Sequence, residues 1–142
     1  MQKSKLKLIL PWIPVALCMA MIFYFSSQNA DESSKFSVAV GILMKLNIPN
    51  WILRKIAHFS EFALLAFLTE NALFACRKAI MPVSTVIFAA VYACTDEFHQ
   101  IFVDGRGCRA FDVLIDSAGA LVGAVAAAII LLLIVNLKKA KK

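Results

Sequence analysis

The sequence predicts an all-α integral membrane protein, a single domain over residues 1–142 built as a bundle of four transmembrane helices. Its composition is 61% hydrophobic and 17% charged, with a mean hydropathy of +0.80, above the apolar share of a soluble domain. The apolar residues form long runs that a core of this size cannot bury. Because the basic residues sit in short clusters between these runs, and form no basic groove with aromatic platforms, nucleic acid is not an expected partner.

Four apolar segments are long enough to cross a bilayer core, for which about 20 residues are needed. The first exceeds the apolar part of a cleaved signal peptide and lacks a small-residue cleavage site after it, so we expect a retained span. The predicted spans lie near residues 8–26, 52–73, 80–98 and 113–135, with outer loops at 27–51 and 99–112.

The Lys and Arg residues orient these spans in the cell membrane. If the N- and C-termini are both cytoplasmic, the inner side carries nine basic and no acidic residues. The other basic residues and nearly all the acids then lie outside or at span ends, as the positive-inside rule requires. The cytoplasmic set is Lys3, Lys5, Lys7, Arg77, Lys78, Lys138, Lys139, Lys141 and Lys142.

The first outer loop contains apolar residues at helical spacing, namely Phe36, Ala39, Val40, Leu43 and Leu46. Polar residues at other positions include Ser37, Lys45 and Asn47. This pattern predicts an amphipathic helix that lies in the outer membrane interface or caps the bundle.

The second span carries ionisable residues on one face. His58 and Glu61 are three residues apart and can touch, and Arg54 lies one turn before His58. Such groups inside a span usually face partners or a water-filled cavity. The alternative is a set of interfacial side chains that extend toward water. Glu70 falls near the cytoplasmic end and is interpreted as an interfacial anchor or a partner of Arg77, outside the site.

The third span ends in a polar turn, "TDEFHQ". Asp96 and His99 share one helix face, while Glu97 and Gln100 share the neighbouring face. One turn of helix therefore presents two carboxylates, an imidazole and an amide.

The fourth span begins with a stripe of Asp112, Asp116, Gly119 and Gly123 at spacings of four, three and four. The two glycines form a small-x-x-x-small surface that lets another helix approach closely. We therefore expect the two aspartates to point into the bundle. The same glycines could pair two subunits, so the oligomeric state stays open.

These helix ends and one loop are predicted to converge on an outward-open polar site. Gly105 and Gly107 flank Arg106 and indicate a tight turn that can aim its guanidinium across the site. The alternative is a salt-bridge network that only closes this end of the bundle. Candidate catalytic residues are His58, Glu61, Glu97, His99, Asp112 and Asp116, and candidate ligand-binding residues are Arg54, Asp96, Gln100, Gly105 and Arg106.

Three segments, "RKIAHFSEFALLAFL", "TDEFHQIFVDGR" and "FDVLIDSAGALVG", resemble the VanZ-like family of small bacterial membrane proteins in order and spacing. The resemblance covers roughly residues 9–135 and includes "YFSSQ" at the end of the first span. Asp104 stands where the family pattern has Pro before Gly-Arg. The resemblance implies a polytopic protein of the cell envelope, whose namesake confers resistance to the glycopeptide teicoplanin.

Two classes of function fit these residues. In the first, Arg54 and Arg106 bind a phosphate or carboxylate of an envelope lipid, a lipid-linked peptidoglycan precursor or a glycopeptide, and antibiotic susceptibility falls. In the second, His58, Glu61, His99 and a carboxylate from Glu97, Asp112 or Asp116 hold a divalent metal for hydrolysis or transfer on a lipid-linked substrate. The H-x-x-E spacing permits a metal without specifying one. A channel is less favoured, because the first span is apolar throughout.

Overall fold

The computed structural model describes residues 2–29 and 48–141, together with positions 31, 33, 35 and 38. Over these residues the chain is helical and contains no β-strand. A 3₁₀ turn at Leu10–Trp12 joins the first two helices. The predicted amphipathic helix with Phe36 and Leu46 lies outside the described residues. The α-helices are α1 (Gln2–Ile9), α2 (Ile13–Ser26), α3 (Asn50–Arg77), α4 (Pro82–Gln100) and α5 (Ala110–Ala140).

Three helical stretches within the described residues are long and apolar enough to cross a membrane, namely Leu6–Ser26, Asn50–Arg77 and Ala110–Ala140. The sequence predicted four such spans, and three are found among the described residues, so the prediction is confirmed in part. Helix α4 forms where the third span was predicted, but Asp96, Glu97 and His99 in its last turns lower its mean hydropathy. The spans predicted at 52–73 and 113–135 belong to helices that extend further at both ends.

Prolines and a left-handed residue set the helix ends. Pro49 precedes α3 in an extended conformation, with φ −59° and ψ 142°. Pro82 is the first residue of α4, where its missing N–H leaves no helical hydrogen bond unmade. Helix α3 ends at Arg77; the next residue, Lys78, has a left-handed φ of 56°, and its N–H donates to the Phe74 carbonyl.

Helices α3 and α5 pack with their backbones in direct contact. A Cβ atom added at Gly119 would overlap the Phe59 carbonyl oxygen, and one added at Gly123 would overlap that of Ala63. Only glycine allows this approach. The predicted close-packing surface is thus confirmed, and its partner is α3 of the same chain.

The apolar core lies beside this contact. Phe62 and Leu65 of α3 are fully buried, and Ala89 and Ala93 give α4 a flat surface against its neighbours. The Tyr92 hydroxyl donates to the Met19 carbonyl at 2.7 Å and ties α4 to α2. Large apolar side chains cover the outside of α5, as expected of a surface that faces lipid.

The bundle has two distinct ends. The polar end is where α2 and α4 finish and α3 and α5 begin. The turn end is where residues 77–82 connect α3 to α4.

Glu70 lies at the turn end and corrects one interpretation. It is fully buried, so it is not an interfacial anchor. Its carboxylate accepts a hydrogen bond from the Met81 N–H at 2.6 Å and another from the Thr85 hydroxyl. Glu70 therefore secures the beginning of α4, a role that spacing along α3 alone did not indicate.

Candidate functional site

A cavity of about 250 Å³ opens at the polar end of the bundle. Its walls come from α3, α4, α5 and the loop between α4 and α5, so residues from three helices and a loop meet there as expected. The lining residues are Trp51, Arg54, Lys55, His58, Glu97, Gln100, Gly105, Arg106, Gly107, Arg109, Asp112, Ile115 and Asp116.

Asp116 is the most enclosed of the lining carboxylates. The close contact at Gly119, one turn along α5, holds Asp116 toward α3, and the residue is only 1% exposed. Both carboxylate oxygens are buried without a hydrogen-bond partner. The nearest ion-pair atom is His58 Nδ1 at 4.0 Å, which is beyond hydrogen-bond length and is itself unpartnered.

Glu97 lies on α4 and is 2% exposed. Its Oε2 accepts a hydrogen bond from the Arg109 backbone N–H at 2.8 Å. Arg109 immediately precedes α5, so this bond fixes the beginning of α5 against the end of α4. Glu97 thus combines a structural contact with a place in the cavity wall.

Asp96 supports the cavity without lining it. Its Oδ2 accepts hydrogen bonds from the Ser26 hydroxyl at 2.8 Å and from the Gln100 side-chain amide at 3.0 Å. The first bond joins the end of α2 to α4, and the second orients Gln100 into the cavity wall. Its Oδ1 is buried and has no hydrogen-bond partner.

Arg106 extends from the loop between α4 and α5. Gly105 precedes it with φ 73°, a conformation that favours glycine, and the Arg106 N–H donates to the Val103 carbonyl at 3.0 Å. Its Nη2 donates to the Phe25 carbonyl at 3.1 Å, while Nε and Nη1 are buried without partners. Burial and the nearby Arg54 guanidinium lower the Arg106 pKa below its ordinary value. The side chain still carries its charge near neutral pH.

Lys55 is a site residue that the sequence interpretation left out. Its ammonium pairs with Asp112, and both side chains are about a quarter exposed, at 27% and 29%. The ammonium also lies 5.0 Å from the centre of the Phe111 ring. Lys55 follows Arg54 directly in the sequence, and the three-residue spacing from Lys55 to His58 was the available signal.

Glu61 and His99 lie away from the main cavity. Glu61 lines a second space of about 60 Å³, which shares Arg54, His58 and Arg106 with the first. His99 stacks on Phe23 with ring centres 4.4 Å apart, and its Nε2 is 3.3 Å from the Ser27 hydroxyl. The structure therefore brings together His58, Glu97, Asp112 and Asp116 of the candidate catalytic residues, but places His99 elsewhere.

The cavity wall carries charged groups of both signs. Arg54 and Arg106 give the cavity cationic groups, while Glu97 and Asp116 give it buried carboxylates. In the part of the chain that the structure describes, no three His, Cys, Asp or Glu residues come together in a group that could hold a metal ion. The geometry can bind charged groups of either sign.

Comparison with known proteins gives one match. The family model described as VanZ/LLP1 matches residues 11–133, which is most of the chain and includes every lining residue of the cavity. No curated protein and no solved structure matches the chain.

Proposed function

The chain belongs to the VanZ/LLP1 family, and from this premise we propose that it is a bacterial cell-envelope protein that lowers susceptibility to glycopeptide antibiotics such as teicoplanin. In this proposal the cavity at the polar end binds an anionic group of an envelope lipid or a peptidoglycan precursor. Binding shields that component from the antibiotic. The apolar helices and the family match support a membrane location.

The proposal includes an orientation. Helix α4 acts as a fourth span whose polar last turn is shielded by α3 and α5, both termini are cytoplasmic, and the polar end faces outward. Cys108 is exposed at the polar end, whereas Cys76 lies at the turn end. In Cys94→Ser cells kept under reducing conditions, we expect a membrane-impermeant maleimide to label Cys108 in intact cells. Labelling of Cys108 only after permeabilisation would reverse the orientation.

The binding proposal rests on the unpartnered guanidinium nitrogens of Arg106. Two of its guanidinium nitrogens are buried beside the cavity and have no hydrogen-bond partner. A guanidinium binds a phosphate or carboxylate through paired N–H donors, which makes such a group the expected ligand. Arg54 lines the same cavity and adds a second cation.

A susceptibility measurement tests this function. A sensitive Gram-positive host carries empty vector, the wild-type protein, Arg106→Ala, Glu97→Gln or Arg77→Ala, all at matched expression. We expect the wild type to raise the inhibitory concentration of teicoplanin, and both cavity variants to lose the increase. Arg77→Ala is the control, because Arg77 is an exposed cation at the turn end. Full resistance from Arg106→Ala would reject the cavity as the functional site.

A second candidate function is a membrane-embedded hydrolase or transferase that acts on a lipid-linked envelope substrate, with or without a divalent metal. The enclosure of His58, Glu97 and Asp116 around one cavity favours it, since general acid–base catalysis needs such groups near the substrate. In its metal-dependent form, His58 and the nearby carboxylates would supply ligands.

Product analysis separates the two candidates. Purified protein is incubated with lipid-linked peptidoglycan precursor, with and without chelator, and products are followed by mass spectrometry. An enzyme releases product, and His58→Ala and Asp116→Asn abolish the release. A protein that confers resistance and leaves the precursor intact is a binder. Product release that is insensitive to chelator, from metal-free protein, excludes the metal-dependent form.

A further inference from the structure

We propose that Asp116 forms a subsite for a primary ammonium group, so that the cavity recognises an amine and a phosphate within one phosphoethanolamine headgroup. This inference rests on the proposed function, which concerns the anion-binding residues alone. It adds an amine as the second charged group of the ligand, and it identifies a lipid as the source of that ligand.

The group that would bind an ammonium is the Asp116 carboxylate. It lines the cavity, is 1% exposed, and has two buried oxygens without a hydrogen-bond partner. An unpaired buried carboxylate is destabilising, so a folded protein usually supplies it with donors. His58 Nδ1 at 4.0 Å is too distant to serve. A primary ammonium brings three N–H donors and the complementary charge.

Other carboxylates around the cavity also favour a positive group on the ligand. Asp112 is paired with Lys55, whereas the hydrogen bond that Glu97 accepts from Arg109 comes from a neutral backbone N–H. Two buried carboxylates, Glu97 and Asp116, therefore favour a positive group. A metal ion suits them less well, because no group of three metal-binding side chains occurs among the described residues.

The size of the cavity suits a lipid headgroup. At about 250 Å³ the cavity is smaller than the roughly 300–1,000 Å³ typical of pockets that enclose a drug-sized molecule. A whole peptidoglycan precursor is too large to enter. A headgroup with one phosphate and one amine is small enough to contact Arg106 and Asp116 together.

An exposed apolar surface beside the cavity indicates a lipid as the source of the headgroup. Trp51 lines the cavity and is also largely exposed. Phe111, next to the Lys55 ammonium, and Leu114 are exposed apolar residues at the beginning of α5. The cavity therefore borders an apolar surface along which acyl chains can lie while the headgroup occupies the cavity.

The test is a headgroup titration of the full chain in detergent. Trp51 fluorescence, in a Trp12→Phe background, follows the addition of short-chain phosphatidylethanolamine, phosphatidylglycerol or N-acetylated phosphatidylethanolamine. Soluble phosphoethanolamine is a fourth ligand. We expect phosphatidylethanolamine to bind about tenfold more tightly than the two lipids without a free amine, as one charge-assisted contact predicts. Phosphoethanolamine without acyl chains should bind more weakly.

Variants assign the two subsites. Asp116→Asn should bind phosphatidylglycerol as wild type does and should bring the preference for phosphatidylethanolamine close to one. Arg106→Ala should weaken binding of all three lipids. Asp104→Asn is the control, because Asp104 is an exposed carboxylate in the same loop and does not line the cavity. It should keep the full preference.

Several results would overturn the inference. If wild-type protein binds the free-amine and acetylated lipids equally, the amine subsite is wrong, even where Asp116→Asn fails to fold. Equal binding of soluble phosphoethanolamine would reject the lipid source. A preference that chelator removes would assign Asp116 to a metal. In each case the proposed function stands if Arg106→Ala still loses resistance, and it fails separately if that variant remains resistant.

Discussion

Glu70 at the turn end and Asp116 at the polar end are both buried carboxylates, but their hydrogen bonding is opposite. At the turn end, Glu70 is fully buried and accepts hydrogen bonds from the Met81 N–H and the Thr85 hydroxyl. At the polar end, Asp116 is 1% exposed and neither oxygen has a hydrogen-bond partner. The chain therefore has a partnered and an unpartnered version of the same group within one fold.

This difference separates structure from function. A carboxylate that only stabilises a fold is expected to receive its donors from that fold, as Glu70 does. Asp116 instead faces a cavity beside Arg106, whose guanidinium also has unpartnered nitrogens. Two unsatisfied groups of opposite sign around one space are better explained by a ligand than by packing.

The largest effect on stability should come from the close contact between α3 and α5, on which the geometry of both ends depends. Gly123 lies against the Ala63 carbonyl, between the two carboxylates along α5 and α3. In Gly123→Leu the side chain has no room, because the obstacle is backbone and cannot rotate away. We expect the protein to lose its thermal unfolding transition in detergent, and both ends to lose their geometry.

Gly107→Ala is the matched control for stability, since a Cβ there meets nothing within 4 Å. Its melting temperature should stay near that of the wild type. If Gly123→Leu melts like the wild type, α3 and α5 do not make the contact described.

The second-largest effect on stability concerns the turn end alone. Glu70→Ala removes the acceptor for the Met81 N–H and the Thr85 hydroxyl, so both donors lose this hydrogen-bond partner. Two hydrogen bonds to a charged group predict a loss of about 3 kcal/mol in the free energy of unfolding. Denaturant titration in mixed micelles measures it, with the exposed Asp104→Ala as control. A loss equal to that of the control would show that Glu70 does not secure α4.

The two ends also show which features could be predicted from the sequence and which could not. Helical periodicity was enough to predict that Asp116 and the α5 glycines face the bundle, because residues on one helix face are fixed by spacing alone. It did not predict that Ser26 donates to Asp96, which is 70 positions away, because that contact depends on which helices become neighbours. For the same reason His99 was grouped with Asp96, although its ring stacks on Phe23.

Glu70 shows the same limit at the turn end. Its distance from the predicted membrane surface suggested an interfacial anchor. Its partners instead come from the connection to α4, which folds back over it. The sequence predicted four membrane spans, whereas three helices among the described residues are long and apolar enough, because the last turns of α4 carry Asp96, Glu97 and His99.

A smaller effect of opposite sign should appear at the polar end. Asp116→Asn keeps the shape of the side chain and removes a buried charge that has no hydrogen-bond partner. We expect the free energy of unfolding to stay constant or to rise by about 1 kcal/mol, in contrast to the loss in Glu70→Ala. The same denaturant titration compares them. A loss as large as that of Glu70→Ala would mean that Asp116 is a structural group.

The smallest effect is expected at the margin of the polar end, where Lys55 pairs with Asp112. Both side chains are partly exposed, at 27% and 29%, so water screens the pair. Lys55→Met keeps most of the apolar stem, and it should lower the free energy of unfolding by less than about 1 kcal/mol. Added salt should shrink the difference from the wild type, because the contribution is electrostatic. The free energy of unfolding is measured at low and at high salt. A large loss that salt leaves unchanged would mean that the Lys55 ammonium contributes as much to stability as Glu70 does. The polar end would then be stabilised mainly by its charged groups.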